Sequence, residues 1–190
     1  VDPKQFHKRR GKFQITAGES EFGEDGIRLR LRTPELSAVG DLHVGEFSPI
    51  RSHIMGPFRY VPFLECRHSV QSMKHTVTGD LQINGKPYRF RNSTGYTEGD
   101  RGRSFPQKYL WTQCNWGKPE TTGLMLAVAT IPILKHVRFT GVICSIQYNK
   151  REYRLATYKG TRIKASSEHG AEIVQGKYRL TVEVLEKQGK

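Results

Sequence analysis

Apolar and polar residues alternate along most of this chain with a period of two. The stretch Ile27-Arg28-Leu29-Arg30-Leu31-Arg32 does so strictly, and that period places successive side chains on opposite faces of a strand. Val39 to Phe47 repeats the pattern with Leu42 and Val44 on one face, and Tyr178 to Leu185 sets Leu180, Val182 and Val184 against polar neighbours. Thr76 to Arg91 predicts a hairpin, because Asn84-Gly85 is the preferred pair for a two-residue turn between strands. Phe13-Gln14-Ile15 starts a short strand, and Leu124 to Ile131 and Val137 to Tyr148 predict long, mostly buried ones. Asn149-Lys150 and Lys159-Gly160 are turns around Tyr153 to Tyr158, followed by strands at Arg162 to Lys164 and Ala171 to Val174. Residues 1–11 form a polar, extended lead-in. Gly56-Pro57 breaks regular structure, and Val61 to Val70 resumes as a buried strand that carries polar residues. No segment keeps a helical apolar period. The chain is therefore expected to be all-β, a single antiparallel sandwich or barrel domain over residues 1–190.

Composition narrows this picture. At 190 residues with 36% apolar content, one domain with a real core is expected. No run of about 18 apolar residues is present to span a membrane as a helix, and the N-terminus does not read as a signal peptide. The three cysteines, Cys66, Cys114 and Cys144, lie singly in apolar strands. That spacing predicts buried free thiols in a reducing compartment, the cytoplasm, and makes the sequon Asn92-Ser93-Thr94 a chance match.

The formal net charge is +13. Three readings stay open: a solvated surface, attraction to anionic lipid headgroups at a membrane periphery, and nucleic-acid binding. The charge is spread along strand faces, and only Lys8-Arg9-Arg10 is a true run.

Two stretches carry candidate chemistry. In the first, Cys66 and His68 point to one face of a strand and Glu65 to the other. Zinc ligation with His75 and Cys114, a satisfied buried polar pair, and an acid or base lining a ligand cavity are all compatible with it. The second runs from Gly95 to Trp116 and holds both tryptophans. Here Glu98-Gly99-Asp100-Arg101-Gly102-Arg103 reads as a charged turn beside the aromatic strand Tyr109-Leu110-Trp111. Acid–guanidinium pairs could simply fix that turn. Alternatively, a carboxyl beside an apolar cavity is a proton donor. The π-faces of Tyr96, Phe105, Tyr109 and Trp111 would then stabilise a cation, unless they are only core packing. Phosphate loops, dinucleotide fingerprints and serine-nucleophile elbows are absent.

These stretches also carry a resemblance. Ser52-His53-Ile54-Met55-Gly56-Pro57-Phe58, with Val61-Pro62-Phe63-Leu64-Glu65-Cys66-Arg67-His68-Ser69-Val70-Gln71-Ser72-Met73-Lys74-His75, resembles a block of the tocopherol cyclase-like family. Gly95, Tyr96, Glu98, Ser104, Phe105, Pro106, Trp111, Gln113 and Asn115 resemble its second block, and Phe139-Thr140-Gly141 and Tyr153 to Tyr158 its later strands. The match covers roughly residues 20–185. It implies a lipocalin-like β-barrel around an apolar cavity, in one lobe or two related lobes. It further implies proton-initiated cyclisation of a prenylated aromatic or other isoprenoid, an intramolecular lyase or isomerase reaction with no redox change and no cofactor; related lipocalin-like proteins hydrate carotenoid double bonds.

On that basis the candidate acids are Glu98 and Asp100, with Glu65 and His68 as rivals. Trp111 and Tyr109 would shelter the cation, Arg101 or Arg103 would orient the ring oxygens, and Tyr96, Gln113 and Asn115 would complete the substrate site. No metal is implied. A carrier of an apolar lipid is the alternative function, and a basic nucleic-acid-binding β domain the next. Arg101 stands where plant members carry tryptophan, and Leu64 where methionine is common, so a bacterial-type member is expected. An aromatic box near the start of family chains has no counterpart here, which predicts segments of the natural chain missing at residues 7–12 and after Leu185.

Overall fold

The computed structural model describes residues 2–62, 64–116, 122–134 and 137–186. The chain forms two compact units, one of Val1–Ser48 with Lys74–Tyr96, the other of Pro49–Met73 with Thr97–Lys190. Fourteen strands and three short 3-10 helices account for the regular structure of the described residues. All strand pairings are antiparallel neighbours in sequence, as the turn spacing predicts.

The first unit is a meander. It contains β1 (Phe6–Lys8), β2 (Gln14–Ala17), β3 (Ser20–Gly23), β4 (Gly26–Arg32) and β5 (Ser37–Val44). Parts of β6 (Cys66–Ile83) and β7 (Lys86–Gly102) complete it, and both strands continue into the second unit. The β6–β7 hairpin turns on Asn84 and Gly85, with φ of 49° and 79°, the two positive values a tight twisted hairpin requires. The alternating arginines of β4 sit on the wet face. Register sets Arg28 opposite Asp41 and Asp41 opposite Asp80. Arg28 pairs with Glu21, Arg30 with Asp41 at 2.8 Å, and Arg91 with Asp80 at 3.3 Å. His75 is buried and stacked on Phe47, ring centres 5.0 Å apart, and burial lowers its pKa. The lead-in thus contains a short strand, β1, which its polar composition concealed.

The second unit holds two further sheets. One runs β11-β10-β9-β8, from β8 (Lys108–Asn115), β9 (Thr122–Leu134), β10 (Val137–Tyr148) and β11 (Arg151–Ala156). The other is β12 (Arg162–Ser167), β13 (Gly170–Gln175) and β14 (Tyr178–Glu183). Period-two alternation gives the four-stranded sheet two apolar faces. Leu126, Val128, Val142, Cys144 and Leu155 share one face and pack with Ala171 and Ile173 of β13 into the core. On the other face, Trp111 lies opposite Ala127 and Ala127 opposite Ile143, while Tyr109, Ala129 and Gly141 form the next row. Among the described residues no pairing closes any of the three sheets into a barrel.

A buried polar clamp fixes the segment before β6. Arg154 and Glu152 form an ion pair with side chains 5% and 8% exposed. Arg154 donates to the carbonyls of Ser52 and His53, and the Tyr158 hydroxyl to that of Ile54. The Glu152 carboxylate accepts from the Arg51 amide at 2.7 Å. Gly56 has φ +50°, and a Cβ there would stand 2.7 Å from the Tyr158 ring. Only glycine suits both the left-handed backbone and the ring against it. The chain then makes a 3-10 helix, Gly56–Tyr60, and the described residues between it and Cys66 are irregular. The expected strand from Val61 is therefore shorter: Val61 and Pro62 are exposed, and Phe63 lies outside the described residues.

Two further expectations are corrected. Glu98 to Gly102 is not a turn but the end of β7. All three cysteines are free thiols, but only Cys144 is buried; Cys66 is half-buried and Cys114 exposed.

Candidate functional site

In the second unit, β6 and β7 bring three titratable side chains together. Residues two apart on a strand share a face, so Glu98 and Asp100 on β7 both reach His68 on β6. His68 Nδ1 lies 2.9 Å from Asp100 Oδ1. Its Nε2 lies 3.2 Å from Glu98 Oε2, at ion-pair distance but off the line of a good hydrogen bond. The His68 side chain is 11% exposed and the carboxylates are 23% and 27% exposed.

Burial acts to lower the His68 pKa, while the flanking carboxylates of Glu98 and Asp100 raise it; the carboxylates prevail, and the net shift is upward. The imidazolium is thus the favoured form over a wider pH range than for an ordinary histidine. Cys66 shares the same face and donates its thiol to Asp100 Oδ1 at 3.3 Å. Burial, then that bond and the negative charge of Asp100, push the thiol up to about 12, so it stays protonated and a poor nucleophile.

The backbone around the trio is held from both sides. The His68 amide points at Met55 Sδ, 3.2 Å away. Ser69 donates its hydroxyl to the Gly99 carbonyl, and Gln71 donates to Ser69. A Cβ on Gly102 would stand 1.8 Å from the Glu65 carbonyl oxygen, which also accepts from the Arg103 amide at 2.7 Å. Glycine here marks close backbone approach within a strand rather than a turn.

The trio borders an apolar cavity of about 650 Å³. One wall is the free face of the four-stranded sheet, with Tyr109, Trp111, Ala127, Ala129, Gly141 and Ile143. Met55, Phe58, Val61 and Leu64 form another, and Phe105 and Pro106 a third. Phe58 meets the Phe139 ring edge-on at 5.7 Å. Trp111 spans wall and charge, its indole N–H donating to Glu98 Oε2 at 3.2 Å.

Of the residues singled out from sequence, Cys66, His68, Glu98, Asp100, Phe105, Tyr109 and Trp111 line this cavity. Glu65 contributes its backbone carbonyl, and its side chain is not among the lining. Arg101 and Arg103 are exposed and outside the lining; Gln113 and Asn115, farther along β8, are half-buried and also outside it. Tyr96 belongs to the first unit, as does His75. Among the described residues no group of three His, Cys, Asp or Glu side chains is arranged to hold a metal ion. Sequence reasoning missed Ala127, Ala129, Gly141 and Ile143. Small residues recurring at alternate positions of otherwise bulky strands were the available signal.

Comparison with known proteins agrees with the resemblance. A family model described as tocopherol cyclase-like matches residues 44–184. A probable chloroplastic tocopherol cyclase of Oryza sativa subsp. japonica is 33% identical over 54 residues, which is 28% of this chain and 12% of that protein. A chloroplastic tocopherol cyclase of Zea mays is likewise 33% identical over 54 residues, 28% of this chain and 11% of that one. The aligned stretch therefore spans only about an eighth of the plant proteins. No solved structure matches the chain. With the family model covering most of its length, this chain belongs to the tocopherol cyclase-like family.

Proposed function

We propose that the second unit binds a prenylated aromatic or another isoprenoid in its apolar cavity and cyclises it by proton addition to an alkene. The observation that carries this reading is a charged trio, His68, Glu98 and Asp100, set in the wall of an otherwise apolar cavity. In the proposed step the His68 imidazolium passes its proton along the 2.9 Å contact to Asp100, and the resulting carboxylic acid protonates the substrate double bond. The electron-rich rings of Trp111 and Tyr109 stabilise the carbocation. The phenol oxygen captures it, forming the C–O bond, and the phenolic proton returns to the trio. Substrate and product are isomers, and no electrons leave or enter. Glu98 holds the other side of His68 and is the alternative donor. Arg101 and Arg103 take no part in this version.

A lipocalin-like arrangement of one domain over residues 1–190 belongs to the same proposal, supported by the antiparallel sheets and the cavity. Free thiols support a reducing compartment such as the cytoplasm. Incubation with a prenyl-hydroquinone, followed by chromatography and mass spectrometry, tests the reaction. A product of unchanged mass that disappears in Asp100→Asn is expected; intact substrate after incubation with folded protein refutes the catalytic reading. The confinement of charge to one wall also suits a carrier of an apolar lipid. That reading is favoured if a fluorescent prenyl ligand binds saturably and equally well to wild type, Glu98→Gln and Asp100→Asn without turnover.

A further inference from the structure

The cavity opens through a rim of aromatic side chains that folding leaves in water. Phe105 is 65% exposed, Tyr109 62%, Trp111 44% and Val61 38%, and all four line the cavity. Tyr60, next to Val61, is 71% exposed. Large apolar side chains gathered at one opening are unusual on a water-facing surface. Tyrosine and tryptophan are also the residues that favour the boundary between hydrocarbon and headgroups.

The two segments that carry this rim are basic. Residues 59–67 and 101–109 hold Arg59, Arg67, Arg101, Arg103 and Lys108, with Glu65 as their one acid. Arg59 lies 4.5 Å above the Tyr60 ring, and Arg67 donates to the Val61 carbonyl at 3.1 Å, so both cations stand beside the rim. Among the described residues no carboxylate forms an ion pair with any of these five. In the first unit Arg28, Arg30 and Arg91 are neutralised by Glu21, Asp41 and Asp80, whereas Arg9, Arg10 and Arg32 form no ion pair among the described residues and line no apolar opening of this kind. Unpaired cations around an apolar opening complement an anionic lipid surface, each contributing about 1 kcal/mol near the headgroups.

We propose that this rim is a docking surface for anionic bilayers, through which an apolar ligand enters the cavity without crossing water. The inference rests on the cavity being a ligand site, as proposed above. Aromatic rings around a concave opening suit lipid better than the open stacking platform that single-stranded nucleic acid uses.

The test is flotation of the full chain with phosphatidylcholine vesicles, with and without phosphatidylglycerol. Brominated lipid serves as a quencher of Trp111 and Trp116, the only tryptophans in the chain. Binding to anionic vesicles with tryptophan quenching is expected. The double variant Arg101→Gln/Arg103→Gln should partition roughly ten- to thirty-fold less, while Arg89→Gln/Arg91→Gln in the first unit stays within about two-fold of wild type. Equal losses in both variants, binding without quenching, or tighter binding to a single-stranded oligonucleotide at the same salt each overturn the proposal. Uptake of a fluorescent prenyl ligand is measured in parallel in vesicle-free buffer. Uptake without vesicle binding removes the docking surface alone; vesicle binding without uptake removes the cavity reading and leaves the surface standing.

Discussion

Replacing Asp100 by asparagine changes one charge and almost no volume, which makes it the cleanest probe of the trio. Asp100 Oδ1 sits 2.9 Å from His68 Nδ1, and the histidine is 11% exposed. A charge-assisted hydrogen bond of this kind contributes about 1.5–3 kcal/mol, and we take about 2 for a pair whose carboxylate keeps some contact with water. The folded-state pKa of His68 is raised, so the native protein holds the imidazolium proton more tightly than the unfolded chain does. Its contribution is therefore complete below the unfolded value of about 6.5. It is lost as pH climbs through the raised folded value. The variant should thus be about 2 kcal/mol less stable than wild type near pH 5.5, with the difference shrinking toward pH 9. At about 2–4 °C per kcal/mol for a chain of this size, the Tm gap is about 4–8 °C at the acid end. Thermal unfolding by circular dichroism at pH steps between these limits measures it directly. A gap that stays constant across the series, or widens with pH, refutes the charged pair. Histidine NMR on the same samples gives the second readout: the His68 resonance should titrate at lower pH in the variant.

Three other outcomes are expected. Arg154→Met strands the Glu152 carboxylate in a buried site and should cost about 3–5 kcal/mol, whereas Arg154→Met with Glu152→Leu should recover much of that loss; denaturant melts that show no recovery would count against the clamp. Gly56→Ala should destabilise by more than about 1 kcal/mol, and by more than Gly11→Ala, whose Cβ would meet nothing within 4 Å; the order of the two Tm values decides. Iodoacetamide at pH 8 should label exposed Cys114 quickly, but Cys66 and Cys144, whose thiols burial raises to about 12, only on unfolding; equal labelling of Cys66 and Cys114 would contradict the placement of Cys66 against Asp100.

Much of the strand order was legible because the signals were local. Asn84-Gly85 specifies its turn through two backbone angles, and Arg28, Arg30 and Arg32 mark a wet face by simple alternation. Glu98 to Arg103 misled for an equally physical reason. Glycine and charge are turn chemistry in sequence, yet Gly102 is there because the Glu65 carbonyl leaves no room for a side chain. The two-residue spacing of Glu98 and Asp100 already encoded a shared strand face. Their partner His68 was also among the candidates, but the pairing of β6 with β7 is needed to join them. Nothing local announces the Arg154 clamp, whose partners at Ser52 and His53 are about a hundred residues away in sequence.

Because the four-stranded sheet of the second unit is core on one side and cavity wall on the other, neighbouring residues of one strand answer to different demands. Leu126 and Val128 must satisfy the packing against β13, while Ala127 and Ala129 between them face only the cavity. Selection can therefore change the floor of the cavity without disturbing the core. The floor is built from Ala127, Ala129 and Gly141, the smallest residues available, so almost any substitution there shortens the space for a ligand. Under the proposed binding role, changes at these three positions would tune ligand length, whereas a one-residue register slip would drive Tyr109 and Trp111 into the core and abolish both faces at once.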